Sequence, residues 1–295
     1  MPRVEYVEQP ARAALTRVQG MPFKWSLNPY TGCVHRCTFC YVRDFELRAD
    51  RPSDDRYGRT IRVKVGIVEQ LRRELARRKG ADGVAIGSAT DPYQPAEGRY
   101  QLTRGCIRAL GAARTPISII TRGPLIVRDI DVLQDAARYA DVSVNISIPT
   151  VDRDLWRATE PGTAPPHQRF RAMRELVHAG IYTGVALAPL LPGLSDTDES
   201  IRAVLEQARE AGACTAWINL LYMRSGVRAH FLENLAKDYP EQVQRYLELY
   251  DDRAYLPTKH KDDTRARMKA IARDLGGIED RRPNRILPEL QLSLL

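Results

Sequence analysis

The 295-residue chain contains no apolar run approaching the roughly 18 residues that a membrane span requires. Its opening, MPRVEYVEQPARAAL, lacks the continuous apolar stretch of a secretory signal. The sequence therefore reads as cytoplasmic, with no membrane partner. Cysteine is scarce, five residues in all, an odd number that a paired disulfide framework does not use up. Cys33, Cys37 and Cys40 crowd into eight positions, too tight for such a framework, and in a reducing compartment they stay free to bind metal. There is no low-complexity tract and no repeat beyond an alternation of strand and helix patterns. Acidic residues are outnumbered, 37 against 45 basic ones, giving a formal charge of +8 and favouring acidic partners such as nucleic acid. A solvated Arg-rich surface produces the same balance.

What is present is a chain long enough, at 43% hydrophobic, for one large core. Six short apolar runs read as strands: Phe23 to Asn28, Gly83 to Ser88, Pro116 to Thr121, Val142 to Ile148, Thr183 to Leu191 and Thr215 to Met223. Helical periodicity fills the gaps, as in Ile67, Leu71 and Leu75, or Phe170, Met173, Leu176 and Val177. Pro165 and Pro166 open one helix, Asp196 and Glu199 form a capping box for the next, and Gly180 and Gly212 close them. Such βα units wind with one hand into an α/β fold, here a partial (β/α)6 TIM-type barrel. From Gly226 the strand signal ceases and Val227 to Asp238, Pro240 to Tyr250 and Asp262 to Leu275 read as helices. The expected organisation is an arm over 1–21, the barrel over 22–225, a helical extension over 226–275 and a flexible or docked tail over 276–295.

The segment NPYTGCVHRCTFCYVR puts three soft thiolate ligands in one loop after the first strand, on the face where parallel α/β proteins keep their chemistry. Three clustered ligands leave either a fourth protein ligand to be found or one coordination position open. A zinc ribbon needs a second close pair, which the solitary Cys106 and Cys214 do not make, and His35 shares the same short loop with all three thiolates, straining a tetrahedron.

This CxxxCxxC spacing, with aromatic Phe39 before the last cysteine, resembles the signature of the radical S-adenosylmethionine superfamily. GCVHRCTFCY, GSATDPYQPAE, TRGPLIVRDIDVL and EPGTAPPHQR are similar more narrowly to the subgroup typified by spore photoproduct lyase. The resemblance implies a 4Fe-4S cluster on Cys33, Cys37 and Cys40, with S-adenosylmethionine on the open iron, and Phe39 beside the adenine. It further implies a flavodoxin- or ferredoxin-type electron donor. Reductive cleavage then yields a 5′-deoxyadenosyl radical that abstracts hydrogen from a substrate in the barrel mouth. The element that orients the methionyl amino group maps onto Gly87 to Asp91, with Asp91 as acceptor and Ser88 and Thr90 as neutral partners. The alternative for Asp91 is a turn bonding its own backbone.

Asn145 and Ser147, polar residues in an apolar strand, are candidates for the ribose hydroxyls. Arg122 is a candidate clamp for the cofactor carboxylate, and Glu160 is either a site carboxylate or a turn residue. The lyase's additional hydrogen-donor cysteine has no evident counterpart, since Cys106 and Cys214 both read as buried structural thiols.

At the end of the chain, Gln291-Leu292-Ser293-Leu294-Leu295 resembles the peptide that docks replication and mismatch-repair proteins onto the DNA sliding clamp; folding of these leucines onto the barrel is the alternative. Three functions are open: a radical enzyme acting on a nucleic acid lesion or nucleoside, with DNA as a partner; the same chemistry on a small metabolite or peptide; or a non-enzymatic metal-containing nucleic-acid-binding module.

Overall fold

A computed structural model describes residues 4–78 and 82–278. Its strands are β1 (Glu5–Pro10), β2 (Leu15–Arg17), β3 (Trp25–Leu27), β4 (Tyr30–Thr31), β5 (Thr60–Val65), β6 (Val84–Ile86), β7 (Ile117–Thr121), β8 (Val142–Ser147), β9 (Tyr182–Leu190) and β10 (Ala216–Leu220). The helices are α1 (Val42–Arg48), α2 (Ile67–Arg77), α3 (Pro95–Tyr100), α4 (Leu102–Ala112), α5 (Ile130–Ala137), α6 (Arg153–Thr159), α7 (Pro166–His178), α8 (Asp198–Glu210), α9 (Ser225–Asp238), α10 (Val243–Tyr250) and α11 (Thr258–Asp274).

The larger sheet runs β10-β9-β8-β7-β6-β3-β2, its first six strands mutually parallel and β2 antiparallel at the edge. All six expected barrel strands are present, in chain order across the sheet, which is the partial barrel anticipated from the alternation. Strand residues alternate between two surroundings. Ile119, Val144 and Val185 are fully buried under the helices, while Ser118, Ile120, Ser143 and Asn145, on the opposite face, are only half-buried. That second face is the barrel interior.

A three-stranded sheet, β1-β5-β4, was not anticipated. TIRVKV in β5 alternates apolar and charged residues, the period-two signal of a half-buried strand, and buries Ile61 and Val63 against Tyr30 and Ala96. The N-terminal residues expected as an arm supply β1, parallel to β5, and β2, beside β3. Glu74 on α2 secures the connection by accepting hydrogen bonds from the amides of Ala14 and Leu15, each at 2.9 Å. The last three helices follow β10, and Phe231, Tyr246 and Tyr250 pack as an aromatic group between α9 and α10. No helix among the described residues is long and apolar enough to cross a membrane. The clamp-like peptide Gln291–Leu295 lies outside the described residues.

One cap differs from expectation. Pro165 does precede α7, but Thr197 rather than Asp196 caps α8, its hydroxyl accepting from Ser200 N at 3.2 Å. Asp196 turns back to accept from Gly193 N at 2.6 Å. Thr197→Ala is expected to lower stability by about 1 kcal/mol in chemical denaturation, with Thr197→Ser restoring most of it.

Candidate metal and cofactor site

The cysteine loop does not follow the first barrel strand directly. β4 intervenes, and Gly32, at φ +85°, turns the chain from that strand into the loop. A Cβ on Gly32 would meet Thr60 O at 2.8 Å, so the turn admits no side chain. Beyond it, buried groups grip the loop from three sides. Thr90 Oγ1 and Gln94 Nε2 donate to Gly32 O at 2.7 and 3.1 Å, while Gln94 Oε1 accepts from Val34 N at 3.2 Å. From the α6 side, Gly162 N donates to His35 O at 3.0 Å and Thr38 N donates to Thr159 O at 2.9 Å. From behind, buried Arg43 donates to the carbonyls of Arg36 and Cys37, and to those of Ser53 and Asp54.

Cys33, Cys37 and Cys40 then line one cavity with His35, Tyr41, Tyr57, Gly87, Ser88, Thr90, Asp91, Ile120 and Arg122. Cys33 and Cys37 are buried and Cys40 is partly exposed. Burial pushes the thiols of Cys37 and Cys40 up, so metal must displace their protons. Among the described residues no three His, Cys, Asp or Glu side chains converge as ligands of a single ion. Thiolates sharing one zinc at about 2.3 Å stand only about 3.8 Å apart.

Two buried charge chains flank the thiols. Asp91 accepts from Tyr93 N (2.8 Å), Thr121 Oγ1 (2.7 Å) and Arg122 N (2.7 Å), and lies 3.3 Å from His35 Nδ1. Burial alone would raise its carboxyl, but the His35 charge and these donors outweigh burial and hold it at about 2. Glu160, completely buried, accepts from Arg122 Nε at 2.7 Å and from Arg169 Nη1 at 3.1 Å. Burial opposes its charge too, and the two guanidiniums override it, keeping the carboxyl below its ordinary value. Arg122 also donates to Ala188 O at 2.8 Å and lies over the ring of Phe39, 5.5 Å from its centroid.

The family model described as the radical SAM superfamily matches residues 27–208, spanning the strands and loops just described. The chain belongs to the radical SAM superfamily. An uncharacterized protein of Mycobacterium tuberculosis is 35% identical over 99% of this chain and 86% of its own length. A radical SAM Nalpha-GlyT isomerase of Pseudomonas phage M6 is 28% identical over 76% of this chain and 45% of its own. Spore photoproduct lyase complexed with dinucleoside spore photoproduct superposes with a TM-score of 0.71 at 14% identity, covering 93% of this chain and 80% of that one.

The residues present fit the superfamily's 4Fe-4S cluster and S-adenosylmethionine. The donor set is three soft thiols facing one cavity, and Gly87, at φ +91°, leaves its wall without a side chain; a Cβ there would meet Ile120 O at 2.3 Å. Ser88, Thr90, Asp91 and Arg122 line the same cavity as the thiols. The radical SAM reading of individual side chains changes, however. Asp91 has donors on both oxygens and is the buttress of β7 and His35, not an open acceptor for an ammonium. Its bond to Tyr93 N is the turn interaction weighed as the alternative. Thr90 serves the loop, and Ser88 Oγ is engaged with Ser26 Oγ.

Asn145 and Ser147 do not line this cavity. Asn145 Oδ1 accepts from Trp217 Nε1 at 2.7 Å, and Ser147 Oγ donates to Ala188 O at 2.9 Å, so neither is brought to the thiols for a ribose. Phe39 is buried beneath Arg122 rather than lining the cavity. Glu160 is a charge partner and not merely a turn residue. Arg43, Gln94 and Tyr57 escaped sequence reading. Gln94 was visible inside DPYQP, but nothing in a linear motif shows which backbone a buried amide will hold.

Loading of iron should distinguish ligands from bystanders: Cys33→Ala, Cys37→Ala and Cys40→Ala each lose the visible charge-transfer absorbance after anaerobic reconstitution, whereas Cys106→Ala and Cys214→Ala retain it. Glu160→Ala, which leaves the buried Arg169 guanidinium and the half-buried one of Arg122 without their shared carboxylate, is expected to cost about 3 kcal/mol in urea unfolding.

Proposed function

We propose that this radical SAM enzyme abstracts hydrogen from a nucleoside unit within a nucleic acid. Cys33, Cys37 and Cys40 would hold the 4Fe-4S cluster, whose chemistry, when bound, would be the one-electron reductive cleavage of S-adenosylmethionine. The protein's own residues hold, orient and shield. Arg122 is fixed by Glu160 and Ala188 O on two of its nitrogens and by Phe39 below. Its Nη1 has no partner among the described residues, leaving a rigid donor for a cofactor carboxylate. Tyr41 donates its hydroxyl to Ser88 O, tying the start of α1 to the strand end across the cavity.

The observation that carries the substrate class is the lining of the barrel interior. Ile120 belongs both to the thiol cavity and to the interior face, and Asn145 is its neighbour in the β7–β8 register. Beside Asn145 stands Trp217, half-buried on β10 opposite Ala186, its indole ring fixed by the bond to Asn145 Oδ1. Gly184 and Ala186 on the intervening strand are too small to cover the ring. A pre-oriented indole over small residues is a stacking platform for a planar base. The name of one structural neighbour agrees with this choice: the lyase was captured with a dinucleoside spore photoproduct. The net charge of +8 suits a polyanion.

Neither Cys106 nor Cys214 lines the cavity. Cys106 is buried in α4, and Cys214 precedes β10 with its thiol toward Gly212 O. The lyase's repair reaction, with its cysteine donor, is accordingly not part of this proposal.

Reconstituted anaerobically and reduced with dithionite, the enzyme should release 5′-deoxyadenosine from S-adenosylmethionine. Deuterated DNA, including UV-irradiated DNA, should pass label into that product, while deuterated peptides and small metabolites should not. Label from peptide alone would move the substrate to the second class. Trp217→Ala should reduce label transfer about tenfold or more, the worth of one stacked base. Release of 5′-deoxyadenosine without substrate should persist in that variant. Unchanged label transfer there would remove the indole from the substrate site.

A further inference from the structure

Tyr57 is buried to 2% exposure beside the cysteine loop, and its phenol oxygen lies 3.8 Å from Cys40 Sγ, its sole hydrogen-bond partner among the described residues. Neighbouring structure holds it there. Gly58, at φ +76°, is pressed so closely on the loop that a Cβ would meet Cys33 O at 2.2 Å and Arg36 Cγ at 2.7 Å. The guanidinium of Arg43 stands over the Tyr57 ring, 4.7 Å from its centroid, locked by its four backbone acceptors. A buried phenol needs a partner, and here the partner is a ligand sulfur.

Once Cys40 holds iron it has no S–H, so the sulfur can only accept and the phenol must donate. A donor to a ligand sulfur favours the cluster form carrying more electron density on that sulfur, the reduced one. Arg43 adds to this effect, drawing electron density from the ring and placing a fixed positive charge nearby.

We propose that Tyr57, polarised by Arg43, sets the reduction potential of the cluster through an O–H···S hydrogen bond to Cys40. The inference rests on the radical SAM reading of the three thiols. The step is a one-electron reduction of the cluster by an external low-potential donor. The electron stays on the cluster and the proton on the phenol oxygen, and no bond to substrate or S-adenosylmethionine is involved. Tyr57 is a positioning and tuning residue, not a catalytic one.

The test is an EPR-monitored reductive titration of the reconstituted protein without S-adenosylmethionine. Tyr57→Phe, which keeps the ring and Arg43's seat, should make reduction about tenfold less favourable, a midpoint about 59 mV more negative for one electron. It should still bind the same iron as wild type. A midpoint equal to wild type overturns the proposal. If Tyr57→Phe fails to load, the wild-type protein decides: its Fe–S(Cys) Raman bands should shift on transfer to D2O, and no shift overturns it equally. A shifted midpoint in protein that makes no 5′-deoxyadenosine would leave this inference standing and sink the enzymatic reading instead.

Discussion

The cysteine loop keeps its shape because its own backbone is hydrogen-bonded to buried groups from three separate parts of the chain. Gly32 O, Val34 N, His35 O, Arg36 O, Cys37 O and Thr38 N are each met by a partner from the β6–α3 connection, from the α6–α7 connection, or by Arg43. Each such bond contributes on the order of 1 kcal/mol net, but leaving one buried group unmet costs as much again. These bonds hold the loop's backbone in place around the three thiols. Gly32, Gly58 and Gly162 belong to the same constraint, since a Cβ on any of them would strike backbone at under 3 Å.

The charge chains extend that constraint into the sheet. Asp91 links the end of β7 to His35, and Glu160 links Arg122 to Arg169 on α7, whose Nη1 also donates to Ser147 O on β8. Charges buried this deeply persist only when paired and hydrogen-bonded. Pairing them across four connections ties the loops at the carboxyl ends of β6, β7, β8 and β9 into one rigid rim around the thiols. The polar residues of that rim are thereby committed to the protein, and Arg122, through Nη1, keeps a donor in reserve.

The barrel interior differs in kind. Its side chains are small or half-buried, with Trp217 held by Asn145. On the proposed function, the rim and the groups behind it hold the cluster, and the open face selects the substrate.

The six barrel strands, the helices between them and the clustering of three thiols at one cavity were legible in the chain, because hydrophobic periodicity and a dense cysteine motif are local signals. β5 was legible in principle through its alternation, yet β1 was not, since EYVEQP becomes a strand only by pairing with β5. The roles of Asp91, Thr90, Asn145 and Ser147 could not be read, because a polar residue's function depends on which donor or acceptor folding delivers to it. The sequence by itself determined a βα barrel carrying three soft ligands at its catalytic end. Only the tertiary structure decided which side chains face the thiols, which hold the loop, and that Tyr57 and Arg43 stand behind Cys40, because those contacts join residues far apart in the chain or on turns that have no periodic signal.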